Sequence, residues 1–416
     1  MAISKETMIN KEIPHFLKDP RCKELIKILN SKDDDSRYVG GCVRDYFTGH
    51  ETTDIDIATK IPPNEVIKLL TKNGYKPFTT GIDHGTVSIN LEELKIEITT
   101  LRKDTNHDGR HADIELIDDW EIDAARRDFT INSLYMSDKG DLFDPFDGLN
   151  DLKNRKIRFI GDPESRINED YLRMLRLFRF ISIYESIIDP AIIKILGNNK
   201  NKISKLSSER IHQEFFKIIQ NDNSGKTIEL MKNIDFLDTI FGYEVDISSY
   251  QRILKIDDEN FFEPDLLIRF FLLVPKKYDS LSLLTNFSFS NREKKIFEET
   301  YNSNHKVKSY LSIKEVRAEI YKIGKDNFNN LVRINWARDN KISNSVQWRA
   351  LLAISESFEL PVFPIKAKDL LALGVPEGPL LGEILDDVES WWVDTDFTAD
   401  KFSLFERMKS IISSKI

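Results

Sequence analysis

Apolar and polar residues alternate one for one through Asp54-Ile55-Asp56-Ile57, the period-two rhythm of a β-strand with both carboxylates on one face and both isoleucines on the other. Similar short runs recur at SRYVGG, GTVSINL, LKIEITTLR and SLYMS, divided by turn residues, with one helix-like stretch, PPNEVIKLLTKNG, among them. The pattern predicts an α/β head extending to about residue 150. From about residue 163 the apolar spacing becomes helical almost without interruption, as in EDYLRMLRLFRFISIY, SERIHQEFFKIIQ and DLLIRFFLLV, so the remainder is expected to be all-α. KDTNHDGRHADIELIDDWE, polar, charged and broken by glycine, has the composition of a mobile loop. KDLLALGVPEGPLLGEILDDVESWW reads as two helices parted by Gly374, Pro376, Gly378 and Pro379.

Composition narrows this picture. A chain of 416 residues, 40% hydrophobic, has material for roughly two to four domains with their own cores. No stretch of about 18 uncharged apolar residues predicts a membrane span, and MAISKETMINKE lacks a secretory apolar segment. Cys22 and Cys42 alone are too few for a disulfide framework or a thiolate zinc site, which makes a reducing, cytosolic setting the expectation. The net charge of −9 weighs against a nucleic-acid partner, yet residues 151–180 carry eight Lys or Arg against five Asp or Glu.

Several constellations carry possible chemistry. Same-face strand residues lie roughly 6.5 Å apart, so Asp54 and Asp56 could hold hard cations such as Mg²⁺ between them, with a solvated strand face as the bland alternative. Gly40 and Gly41 at a strand end would expose backbone N–H groups to a triphosphate, with Arg44 adding a charge-assisted contact; an ordinary turn with an Arg44–Asp45 ion pair is the alternative. Glu97, between Ile96 and Ile98, is a third acidic candidate, or an exposed strand glutamate. In DAARRDFTINSLY, Arg126 or Arg127 would reach a phosphate and Asp128 a ribose hydroxyl, unless the triplet is a helix-end ion pair. In NEDYLRMLRLFRF, a helix would place Asp170 and Arg173 on one surface, followed by Arg176 and Arg179. A carboxylate only accepts and a guanidinium only donates, so this pair suits the amino group and ring acceptors of cytosine and adenine. Uracil and guanine would confront the carboxylate with a carbonyl. An intrahelical ion pair beside a basic stripe is the alternative.

Together these segments resemble the class II tRNA nucleotidyltransferases, the CCA-adding enzymes, and their relatives the bacterial poly(A) polymerases. GGCVRDYFTG with DIDIAT is similar to the family's first motif, DGRH to part of its flexible loop, ARRDFTINSL to its second motif and NEDYLRMLRLFRF to its amino-acid template. SSERIHQEFFKII resembles its neck helix and AKDLLALGVPEGPLLGEIL its tail, with Ala367 standing where glycine is expected. The resemblance implies an elongated, seahorse-like protein: a polymerase-β-like head (1–150), a helical neck (151–220), a body (221–310) and a tRNA-binding tail (311–416). It implies that Asp54 and Asp56 bind Mg²⁺ with Glu97 as the third catalytic carboxylate, and that Gly41, Arg44, Arg127, Asp170, Arg173, Arg176 and Arg179 hold CTP or ATP. The implied activity is stepwise addition of C, C and A to the 3′ end of tRNA, and the loop at 103–120 argues against a CC-only enzyme. Poly(A) synthesis or A-only addition is the runner-up, disfavoured by the tail and by the absence of a long basic C-terminal extension. A non-catalytic RNA-binding scaffold is opposed by the presence of both Asp54 and Asp56. A metal-dependent phosphohydrolase is opposed by the seven histidines, which form no His-Asp ligand set in the helical half.

Overall fold

The expected change from a mixed head to helices is present in the computed structural model, which describes residues 13–31, 36–50, 52–105, 113–275, 287–300 and 305–415. The chain divides into two compact units, Met1–Tyr243 and Glu244–Ile416.

The first unit is built on a six-stranded mixed sheet. Its strands are β1 (Ser36–Val39), β2 (Asp54–Thr59), β3 (Thr86–Leu91), β4 (Leu94–Thr100), β7 (Tyr135–Met136) and β8 (Leu142–Phe143), in the order β3-β4-β2-β1-β7-β8. Only β2 and β4 run parallel, pairing Asp54 with Lys95 and Asp56 with Glu97; the other pairs are antiparallel. The period-two pattern explains the orientation of the sheet. Ile55, Ile57, Ile96, Ile98, Val87 and Ile89 share one buried cluster with Phe16, Leu25, Ile26, Val66 and Leu70. Those partners come from α1 (His15–Lys18), α2 (Pro20–Leu29) and α4 (Pro63–Lys72), which lie against that face. Asp54, Asp56 and Glu97 are thereby left to the opposite face.

Between β1 and β2 the diglycine starts α3 (Gly41–Thr48): Gly40 caps it at φ 70°, in the left-handed region where a side chain is strained. The described part of the segment expected to be a loop contains strands. β5 (Arg102–Thr105) and β6 (Asp113–Leu116) pair as a separate antiparallel ribbon, whereas DGRH lies outside the described residues. A two-stranded ribbon need bury neither face, so it carries no apolar alternation to betray it.

Helices α5 (Trp120–Ala125), α6 (Gly148–Lys153), α7 (Pro163–Glu169), α8 (Leu172–Tyr184), α9 (Pro190–Asn199) and α10 (Ser208–Ile219) follow. NEDYLRMLRLFRF is not one helix. Asp170 is extended (φ −150°, ψ 110°) and parts α7 from α8, and its Oδ1 accepts from the backbone N–H of Leu172 at 3.0 Å. In α8, Met174, Leu175, Leu177, Phe178, Phe180 and Ile181 are buried, while Arg173, Arg176 and Arg179 recur every third residue along a less buried stripe.

The second unit is helical. One of its cores gathers Ile365, Leu370, Val375, Ile384, Val388, Trp392, Leu404, Met408 and Ile411. The two helices expected near its end are Ala367–Leu371 and Pro379–Asp394, with Gly374 at φ 85° between them. No described helix is long and apolar enough to cross a membrane.

Candidate active site

Asp54 is exposed at the start of β2, and Asp56 is half-buried two residues on. Burial pushes the Asp56 carboxyl up to about 6; nearby Arg127 pulls it down, and the Glu97 and Asp54 carboxylates add to the rise. Glu97 stands beside Asp56 across the strand pair, but its carboxylate is ion-paired with Lys95 at 2.6 Å. Among the described residues no group of three His, Cys, Asp or Glu stands as a ready-made metal cage. Residues i and i+2 of a strand are same-face neighbours, which is how Lys95 captures Glu97.

The other candidates converge. A cleft of about 590 Å³ is lined by Gly40, Gly41, Arg44, Asp54, Asp56, Arg126, Arg127, Asp128, Asp170, Arg173, Arg176 and Arg179, all from the first unit. It also takes in Asp45, Thr52, Arg102 and Asn132, which the sequence reading had not assigned. Glu97 is absent from its wall. Seven arginines against five aspartates line it, so a chain of net charge −9 still presents a cationic cleft.

Each arginine is held by an identifiable partner. Arg44 donates to Asp45 and, through Nη1, to the Asn132 side-chain oxygen at 2.6 Å, with its guanidinium 5.0 Å from the centre of the buried Phe180 ring. Arg127 donates through Nε to the Tyr135 hydroxyl at 3.0 Å and pairs with Asp123, which also takes Arg126 at 2.8 Å. The Cβ of any larger residue at Gly40 would stand 3.4 Å from Arg127 Nη1. Arg176 donates to Asp128 Oδ2 at 2.6 Å, while Asp128 Oδ1 accepts from the Phe129 N–H and the Asn132 amide. Burial would raise the Asp128 carboxyl, but Arg176 and these donors hold it well below the usual carboxylate range. Its protein partners thus make Asp128 an anchor for Arg176 first of all. Arg179 lies 3.4 Å from Glu214 of α10, and burial beside Arg176 lowers it to about 10.

At the junction of α7 and α8, Asp170 Oδ2 accepts from Arg210 of α10 at 2.8 Å. Arg173 Nη1 donates to the backbone carbonyl of Arg166 at 2.7 Å and to Glu169. The cleft therefore combines an acidic strand, a glycine-started helix whose N-terminus lies in its wall, and an acceptor–donor pair on a stripe of cations. These are the parts needed to hold a nucleoside triphosphate by its phosphates and read its base.

Residues 36–158 match the model for the "Poly A polymerase head domain", and residues 187–244 that for the "Probable RNA and SrmB- binding site of polymerase A". The chain is 30% identical over 437 residues to the CCA-adding enzyme of Ligilactobacillus salivarius, covering 98% of this chain and 100% of that protein. It is 29% identical over 400 residues to the mitochondrial CCA tRNA nucleotidyltransferase 1 of Homo sapiens, covering 93% and 89%. Its fold matches that of the Bacillus stearothermophilus CCA-adding enzyme in complex with CTP, with a TM-score of 0.78 at 21% identity, over 97% of this chain and 99% of that one. The Thermotoga maritima CCA-adding enzyme, solved with tRNA, has a TM-score of 0.68 at 21% identity, over 97% and 99%. With a relative this similar along its whole length, the chain belongs to the family of CCA-adding tRNA nucleotidyltransferases.

Proposed function

We propose that this protein adds C, C and A stepwise to the 3′ end of tRNA, taking CTP and ATP and releasing pyrophosphate. The observation that carries the reading is the meeting of Asp170 and Arg173 with the Asp54–Asp56 strand in one cleft. Base selection then needs no nucleic-acid template, because an acceptor-only and a donor-only group match C and A and mismatch U and G. Arg44, Arg127, Arg176 and Arg179 would bind the triphosphate, and the N–H of Gly41 would support it, that of Gly40 being bonded to the Leu134 carbonyl. The primer's terminal 3′ oxygen attacks the α-phosphorus, the bond to the bridging oxygen breaks, pyrophosphate leaves with that electron pair, and the hydroxyl proton passes to solvent. Alignment of the two reactants supplies much of the acceleration.

A divalent cation fits Asp54 and Asp56: both are hard oxygen donors, and Asp56 is desolvated beside the Glu97 and Asp54 carboxylates, whose repulsion a cation would relieve. We assign Mg²⁺, which would neutralise charge developing on the phosphates. Action in the cytosol is part of the same proposal, supported by Cys22 and Cys42, both buried free thiols.

The test is incorporation of each labelled NTP on tRNA lacking its terminus. Two C residues followed by one A are expected. Incorporation of ATP alone would replace this reading with A-only or poly(A) addition, and incorporation of no nucleotide would refute transfer.

A further inference from the structure

Arg166 lies in α7, outside the cleft, with a side chain only 11% exposed. A guanidinium removed from water is costly unless its donors are satisfied, and its position needs a reason. Its Nη2 donates to the backbone carbonyls of both Arg126 and Arg127, and its Nη1 donates to Glu169. The same Glu169 oxygen accepts from Arg173 Nη1, which also donates to the carbonyl of Arg166 itself. One side chain thus ties the backbone beneath two cleft-lining arginines to the carboxylate that locks Arg173. Arg173 is left with Nε and Nη2, for which the described residues offer no hydrogen-bond partner.

We propose that Arg166 is a positioning residue for base selection. It fixes the rotamer of Arg173 through Glu169, so that the two remaining donor groups face the nucleobase beside Asp170. This rests on the reading of Asp170 and Arg173 as the base-selecting pair. Without the strut Glu169 loses the guanidinium that fixes it, Arg173 keeps only the Arg166 backbone carbonyl as a fixed acceptor, and the donor geometry that favours cytosine over uracil loosens. Asp54, Asp56 and Arg44, which make no contact with Arg166, keep their places.

Arg166→Lys, Arg166→Met and Glu169→Gln are compared with the wild-type protein in steady-state incorporation of CTP and UTP on tRNA lacking its terminus, alongside thermal melts. Lysine is a point charge without the planar fork, so it cannot bridge two carbonyls and a carboxylate at once. All three variants should raise KM for CTP and raise UTP incorporation relative to CTP about tenfold, with kcat for CTP within about threefold of wild type, the pattern of lost ground-state positioning. Glu169→Gln leaves the contacts of Arg166 to the backbone carbonyls intact and decides the matter should an Arg166 variant fail to fold. Unchanged C-over-U selectivity in the folded variants overturns the proposal, as does an equal fall in kcat for both nucleotides. A wild-type protein that incorporates neither CTP nor ATP would instead overturn the function proposed above.

Discussion

Asp123 shows how much of the cleft's order depends on one carboxylate. It is 1% exposed, and burial alone would raise its carboxyl; Arg127, Arg126 and the Tyr135 hydroxyl outweigh that and hold it at about 2. The ordinary aspartate value is 3.8, so the folded protein favours the ionised form more than the unfolded chain does. Its stabilising contribution is complete above the unfolded value and disappears as pH falls from about 4 towards 2, amounting to about 2 kcal/mol at neutral pH. Denaturant midpoints measured between pH 5 and pH 2 should fall across that window, and Asp123→Asn should remove part of the slope while lowering stability at neutral pH. An unchanged acid slope in the variant would show that Asp123 is not the group responsible. Arg127 would lose a partner in the same variant, so KM for nucleotides should rise as well.

Among the elements, β2, β4 and α8 were legible because each sets apolar against polar positions at one period, and burial enforces that period. The break at Asp170 was not legible, because helical spacing runs straight through NEDYLRM and only a side chain turning back to the Leu172 N–H ends one helix and starts the next. Asn132 and Arg166 were missed for a related reason: their roles depend on groups tens of residues away, Arg44 for one and the Arg126–Arg127 backbone for the other. For Glu97, alternation shows which face the residue takes, but not that Lys95 is a neighbour it meets there. Gly148 is another such case. It opens α6 against the turn Thr130–Asn132, and a Cβ there would stand 2.1 Å from the Thr130 carbonyl oxygen. Gly148→Ala must therefore push α6 away from the turn that carries Asn132, at a cost of about 3 kcal/mol. A drop in Tm of about 10 °C in a thermal melt is expected, with a higher KM for CTP; a melt within 2 °C of wild type would sink the argument.

For the whole molecule, the sum of −9 proved a poor guide because opposite charges are sorted in space, with arginines collected on the wall of one cleft. That cleft draws its residues from between Gly40 and Arg179, inside the unit Met1–Tyr243, and the unit Glu244–Ile416 has a core of its own. A ligand that binds only the folded form of one unit stabilises that unit by mass action, by about 2.7 kcal/mol at a hundredfold excess over Kd. Two separately cored units should also melt in more than one calorimetric transition. Calorimetry with and without CTP should thus show two transitions, of which saturating CTP moves one upward and leaves the other in place. In Asp170→Ala the mobile transition should lose most of its response to CTP, because the base acceptor is gone while both cores are untouched. A single transition moving as a whole would mean that the two units unfold as one cooperative body. A CTP response confined to a transition that persists in the isolated fragment 244–416 would place nucleotide binding outside the cleft.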